Sequence, residues 1–391
     1  MTAPHITQAA PPVKLQKHVQ ALDGWRAVAC IMVLYHHTGF FLHFGPLYVW
    51  GSTGVHLFFA LSGYLLFRPF CKAMLKDAPF EFKNFYARRI LRIYPAYLLA
   101  LVVYLSVRYA TGSRLPSNHN LLMHLLMLFN SSDPHEFFAI NGAFWTLAIE
   151  AQFYALLPLL AFMVYRLVQR RPEIAMFGTA ALFACIGLIS RGVELYHTTG
   201  PGMIDPLVVR YHSVFSFLDF FSYGMVVTAF ESTVMRSRKL ERWPVTGLLL
   251  AGLMLFLAAN GWCAQATGGD LLQANSFWCL WLAPLVLCSG IAAILMVVVR
   301  SDGLLTSFLV TRPMVYVGRI SYSVYLFHFL VESFIFRRFP LHDVSNYTLR
   351  TFCYGSLALA PTLLLASVTY YLVEAPCMRI GDRFRSKSAP V

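Results

Sequence analysis

Long apolar runs separated by short polar stretches pattern almost the whole chain. Runs of about 20 apolar residues, the length that crosses a bilayer as a helix, recur throughout. They cover 25–44, 53–70, 93–112, 145–168, 174–190, 211–230, 245–264, 277–298, 313–336 and 352–373. The pattern predicts an all-α integral membrane fold, a polytopic bundle of about ten transmembrane helices. The run LLMHLLMLF over 121–129 is too short to cross and reads as an interfacial or re-entrant piece. The polar stretches are too short for a soluble domain. One membrane domain over 21–379 is expected, with a disordered tail over 1–20 and a basic tail over 380–391. No short apolar segment with a small-residue cleavage site precedes the first run, so the first helix is expected to stay in place.

The composition agrees. Of 391 residues, 58% are hydrophobic and only 13% charged, which does not fit an ordinary soluble domain. Loop cations set an orientation. With the N-terminus inside, only Arg108, Arg114, Arg191, Arg210, Arg337, Arg338 and Arg350 of the 31 Lys and Arg fall outside. Arg26 sits at the membrane edge and the rest fall inside, so both termini are expected in the cytoplasm. A basic cytoplasmic rim facing anionic lipid accounts for the net charge of +13. No nucleic-acid-binding pattern is present. The 8 cysteines are scattered, with no Cys-x-x-Cys pair and no Cys/His cluster of metal spacing, so neither a disulfide framework nor a metal site is expected.

Ionisable residues inside the apolar runs are costly and mark candidate chemistry. In LDGWRAVACIMVLYHHTGFF, Arg26 and His37 are eleven positions apart. At about 100° and 1.5 Å per residue, they share one helix face roughly 16 Å apart. His36 is turned away from that face by about 80°. A neutral imidazole can take a proton from a hydroxyl, so His37 is the candidate general base. Asp23, three residues from Arg26, can pair with it locally.

In FYARRILRIYPAY, Arg88, Arg89 and Arg92 can present a guanidinium fork on one helix face, and Pro95 is expected to interrupt that helix. Taken singly, each Arg reads as a membrane anchor. Together they suit a phosphate clamp that Arg26 could join. Glu150, in WTLAIEAQFY, is either a structural partner for a cation of another helix or a direct acid–base group. Ser321, Tyr325 and His328 form a polar stripe at i, i+4 and i+7, either helix-to-helix glue or a cavity lining. Asp219 and Glu374 read as structural, and Ser62-Gly63 as a close-packing pair.

Together these stretches resemble the membrane-bound acyltransferase-3 family. Arg26 and His37 fall at its Arg-x10-His motif, and Thr38-Gly39-Phe40 agrees with His37 rather than His36. GVHLFFALSGYLL resembles its second-helix motif and FYARRILRIYPAY its arginine motif. WTLAIEAQFY, GRISYSVYLFHF and YYLVEAPCMR resemble three further motifs in the family's order. His56 stands where many members have Asp, Arg319 where many have Lys, and Ala151 where many have a second Glu.

The resemblance implies an O-acyltransferase of the bacterial cytoplasmic (inner) membrane. It would move an acyl group, often acetyl, from cytoplasmic acyl-CoA to a hydroxyl of a glycan or other acceptor, with no metal. Some members carry a further soluble domain, and this chain is expected to act alone or with a separate partner. Arg26, Arg88, Arg89 and Arg92 would hold the coenzyme's phosphates. His37 would be base or transient acyl carrier, and Glu150 would orient His37 or bind the acceptor. Asp23, His56, Ser321, Tyr325 and His328 would contact substrate or hold structure. A secondary transporter of an anionic solute would also need buried Arg, His and Glu. Its usual internal repeat is not visible in this sequence.

Overall fold

The computed structural model describes residues 13–42, 46–131, 140–198, 213–235, 242–267, 277–339 and 346–384. Residues 1–12 and 385–391 of the expected tails lie outside them, as do the loop cations Arg210, Arg236, Arg238 and Lys239. All regular structure among the described residues is helical. Helix α1 runs Val13–Phe41, α2 Pro46–Leu75, α3 Phe82–Ala110 and α4 Asn118–Leu125. Then come α5 Trp145–Leu167, α6 Pro172–Thr198, α7 Leu218–Thr233, α8 Arg242–Thr267 and α9 Phe277–Arg300. The last are α10 Leu304–Leu309, α11 Arg312–Arg319, α12 Ser321–Arg338, α13 Tyr347–Thr369 and α14 Ala375–Gly381.

Among the described residues, seven helices are long and apolar enough to cross a membrane, or eight with the bent pair α11–α12. Ten spans were expected, and the difference lies in three places. Helix α1 is 29 residues long, but Asp23, Arg26, His36 and His37 dilute its apolar character. Helix α7 is only 16 residues long, preceded by a tight turn over Phe215–Phe217. The expected ninth span breaks at Ile320, where α11 and α12 meet at 76°. The first helix begins at Val13, so residues 13–20 of the expected tail are helical. The short run over 121–129 yields only α4 and a turn over Phe129–Ser131, consistent with a piece that does not cross.

Pro95 does not end α3, contrary to expectation: the helix passes through it to Ala110. Within a bundle, neighbouring side chains can satisfy the backbone groups that a proline disturbs. The Tyr322 hydroxyl of α12 donates to the Ile93 carbonyl close by, 2.9 Å away, so α12 is in contact with this stretch of α3. Helix α1 packs against α2, α11 and α12, so the polar first helix lies among other helices. Helix α8 is peripheral, with only 17% of its apolar window buried. Aromatic rings fill the space between α2, α5 and α7. Phe153 stacks on Phe221 at 3.8 Å, and Phe59 lies 4.6 Å from the same ring. A Cβ on Gly63 would run into the Phe221 carbonyl, and one on Gly224 into the Ala60 carbonyl. The α2–α7 crossing therefore rests on two glycines that let the backbones touch.

Candidate active site

A cavity of about 100 Å3 opens between α1, α2, α3, α5 and α12. Its cations are Arg26 from α1 and Arg89 and Arg92 from α3. Arg88 is not among the lining residues, so of the expected guanidinium fork only Arg89 and Arg92, three apart on one face, reach the cavity. The Arg26 guanidinium donates from Nη1 to Asp23 Oδ1 at 2.7 Å, the local pairing expected one turn away. The Arg89 guanidinium lies over the rings of Phe85 and Tyr154, at 5.9 and 5.8 Å. Aromatic faces favour such a cation when water is scarce.

Glu150 stands in the same cavity. Its Oε1 accepts hydrogen bonds from Ser62 Oγ and Tyr154 OH, both 2.6 Å long. It shares the cavity with Arg26, Arg89 and Arg92. The expectation that Glu150 orients His37 is therefore corrected: its hydrogen bonds go to hydroxyls beside the arginines. A half-buried carboxylate inside a bundle needs partners, and two hydroxyls and nearby guanidiniums provide them. Ser62, expected only to allow close packing, is one of those donors.

Helix α12 supplies the opposite wall. Ser321, Tyr322 and Tyr325 line the cavity just past the bend at Ile320. The Tyr325 hydroxyl lies 2.5 Å from Thr146 Oγ1 and donates to the Ala143 carbonyl at 2.7 Å. The stripe of Ser321, Tyr325 and His328 thus begins as cavity wall and runs deeper into the bundle.

His37 is not part of that wall. It is buried behind it, paired with His328. The two rings are 4.8 Å apart between centres, and His328 Nε2 lies 2.9 Å from His37 Nδ1. His37 Nδ1 also lies 3.1 Å from the Val33 carbonyl. Tyr325, whose ring is 5.6 Å from that of His328, connects the cavity to the pair. Beyond the pair, Thr38 Oγ1 donates to Glu332 Oε1 at 3.0 Å in a second, much smaller cavity.

Other candidates lie elsewhere. His56 packs edge-on to Phe220 at 4.6 Å and does not line the cavity. Asp219 forms a two-pronged ion pair with Arg191, at 2.9 and 2.7 Å, both side chains fully buried. Glu374 accepts from Ser323 Oγ at 2.9 Å inside a π-helical turn over Tyr370–Glu374. Sequence reading missed Thr146 and Tyr154, although they stand at i−4 and i+4 from Glu150. It also missed Glu332, four residues past His328 on the same stripe.

A bundle of apolar helices around an arginine-lined cavity and a buried histidine pair defines a multi-pass membrane protein with ionisable side chains gathered in its interior. More particularly, the chain belongs to the acyltransferase-3 family: the model described as an acyltransferase domain matches residues 19–371. Among curated proteins, it is 28% identical over 391 residues to the "Putative peptidoglycan O-acetyltransferase YrhL" of Bacillus subtilis (strain 168). That match covers 95% of this chain and 56% of the relative. It is 23% identical over 379 residues to the "O-acetyltransferase OatA" of Staphylococcus aureus (strain NCTC 8325 / PS 47), covering 93% of this chain and 58% of that protein. The chain thus spans little more than half the length of these relatives. No solved structure matches it.

Proposed function

We propose that the protein is a membrane O-acetyltransferase that acylates a hydroxyl of a cell-envelope glycan of the peptidoglycan type. Its donor is acyl-CoA, which enters from the cytoplasmic side of the inner membrane, and both chain termini face the cytoplasm. The observation that carries this reading is the cavity in which Arg26, Arg89 and Arg92 converge beside the stripe leading to His37. Guanidinium groups match phosphate oxygens in geometry and charge, so they suit the phosphorylated part of the donor. Family membership and the names of the two relatives support the reaction class and the acceptor class.

His37 is the general base. It takes the proton of the acceptor hydroxyl as the oxygen attacks the acyl carbon. A positioned base of this kind is worth on the order of 10²–10⁴ in rate. Glu150, held by Ser62 and Tyr154, balances the arginine charge. Purified protein with radiolabelled acetyl-CoA and soluble peptidoglycan fragments tests the reading. Label should pass to the fragments with the wild-type chain, and His37→Ala should abolish transfer while still inserting and accumulating. Normal transfer by His37→Ala would remove His37 from the chemistry.

A further inference from the structure

The reaction just described uses one ring of a histidine pair, and the second ring has geometry of its own. His328 is buried, with 1% of its surface exposed. Its Nδ1 faces two backbone carbonyls, Tyr325 at 2.8 Å and Val324 at 3.2 Å. A carbonyl oxygen only accepts, so this nitrogen carries a hydrogen. In a neutral ring, Nε2 is then bare and accepts. That bare Nε2 lies 2.9 Å from His37 Nδ1, whose other neighbour is the Val33 carbonyl at 3.1 Å. Both neighbours of His37 Nδ1 are acceptors, so with both rings neutral, Nδ1 carries the hydrogen. The lone pair of His37 is left on Nε2.

We propose that His328 is a positioning residue for His37: it holds His37 in the tautomer with Nδ1 protonated and Nε2 free to act as base. The backbone of α12 fixes His328, and His328 fixes His37. A carboxylate plays this part in serine hydrolases, where replacing it by the amide costs about 10⁴ in turnover through the wrong tautomer. A neutral acceptor costs less to bury than a carboxylate, which suits a site inside an apolar bundle.

The inference rests on His37 being the base, and the step balances as follows. The acceptor's O–H proton moves to His37 Nε2 while the oxygen lone pair forms the new C–O bond to the acyl carbon. The C–S bond of the thioester breaks, and the leaving thiolate recovers the proton from Nε2. His328 neither gains nor loses a proton. It accepts from Nδ1–H throughout, and that hydrogen bond strengthens while His37 is charged.

Two measurements on the full chain in lipid nanodiscs test the proposal. Ring ¹⁵N spectra of histidine-labelled protein report the tautomer, with the His37 signals identified by their loss in His37→Ala. Wild type should show His37 with Nδ1 protonated and Nε2 bare. His328→Gln, which keeps an acceptor near the Nε2 position, should retain that tautomer. His328→Leu should mix the two tautomers. In the acetyl-transfer assay, the turnover of His328→Leu should fall by about 10² or more with an unchanged KM for acetyl-CoA. That of His328→Gln should stay within about tenfold of wild type.

A wild-type His37 protonated on Nε2, or full activity in His328→Leu, would overturn the proposal. So would a glutamine variant no better than leucine, since both fill the space and only one accepts. If the leucine variant does not accumulate, the glutamine variant decides: retention of tautomer and activity supports the proposal, and loss of both overturns it. An active His37→Ala with the expected wild-type tautomer would sink the base and spare the geometry. An inactive His37→Ala with the opposite tautomer would do the reverse.

Discussion

At the scale of single residues, the three arginines of the cavity are partly offset by two carboxylates, Glu150 in its wall and Asp23 beside Arg26. Arg26 is held by Asp23, and Glu150 shares the cavity with Arg26, Arg89 and Arg92. An anionic ligand must therefore compete with carboxylates already in place. Asp23→Asn keeps the side-chain shape and removes that competitor, so KM for acetyl-CoA should fall severalfold, read from steady-state rates. Arg26→Ala should raise the same KM by about tenfold or more, because a charge-assisted hydrogen bond contributes about 1.5–3 kcal/mol. An unchanged KM in Arg26→Ala would count against the clamp. Much at this scale was legible from sequence. Charges inside apolar runs announced Arg26 and Glu150, helical spacing in FYARRILRIYPAY announced Arg89 and Arg92, and three-residue spacing announced the Asp23–Arg26 pair. The partner of His37 was not legible, because 291 positions separate it from His328 and only packing joins them.

At the scale of elements, the departures from expectation have physical causes. A hydropathy pattern rewards uniform apolar runs, yet α1 and α12 bring Arg26, Ser321, Tyr322 and Tyr325 to the polar wall. Their polarity is paired inside the bundle, which a reading of one helix at a time does not see. Pro95 is tolerated because helix neighbours surround it. The bend at Ile320 aims Ser321, Tyr322 and Tyr325 into the cavity, while Gly318 just before it abuts the Asp23 carbonyl of α1. Close helix contact at Gly63 was visible in the small-residue pair, but its mate Gly224 was not. Gly63→Leu should push α2 from α7 and cost roughly 1–3 kcal/mol, the usual cost of overpacking. Thermal unfolding in detergent should show a lower midpoint with KM for acetyl-CoA little changed in the folded fraction.

At the scale of the whole molecule, one buried ion pair stands apart from the cavity and joins α6 to α7. Arg191 also donates to the carbonyls of Ser216 and Trp281, which brings α9 into the same knot. Removing one member leaves the other charge buried and unpaired, a loss of about 3–5 kcal/mol. Arg191→Leu should therefore reduce accumulation sharply, and Arg191→Leu with Asp219→Leu should recover part of it, measured by fluorescence-detected size exclusion. The all-helical class and the family were legible from the sequence. The count of about ten spans is not confirmed: among the described residues, seven or eight helices are long and apolar enough to cross.

The neighbours of α1 also impose an order in time. Its polar face packs on α11 and α12, which a ribosome completes some 300 residues later. Until then, Arg26 and His37 lack their final surroundings, so the nascent first helix must wait at the insertion machinery or be shielded by it. A chain stopped after Arg300 should accordingly be cleared by membrane proteases, while one stopped after Arg338 should persist longer, as pulse-chase labelling would read out.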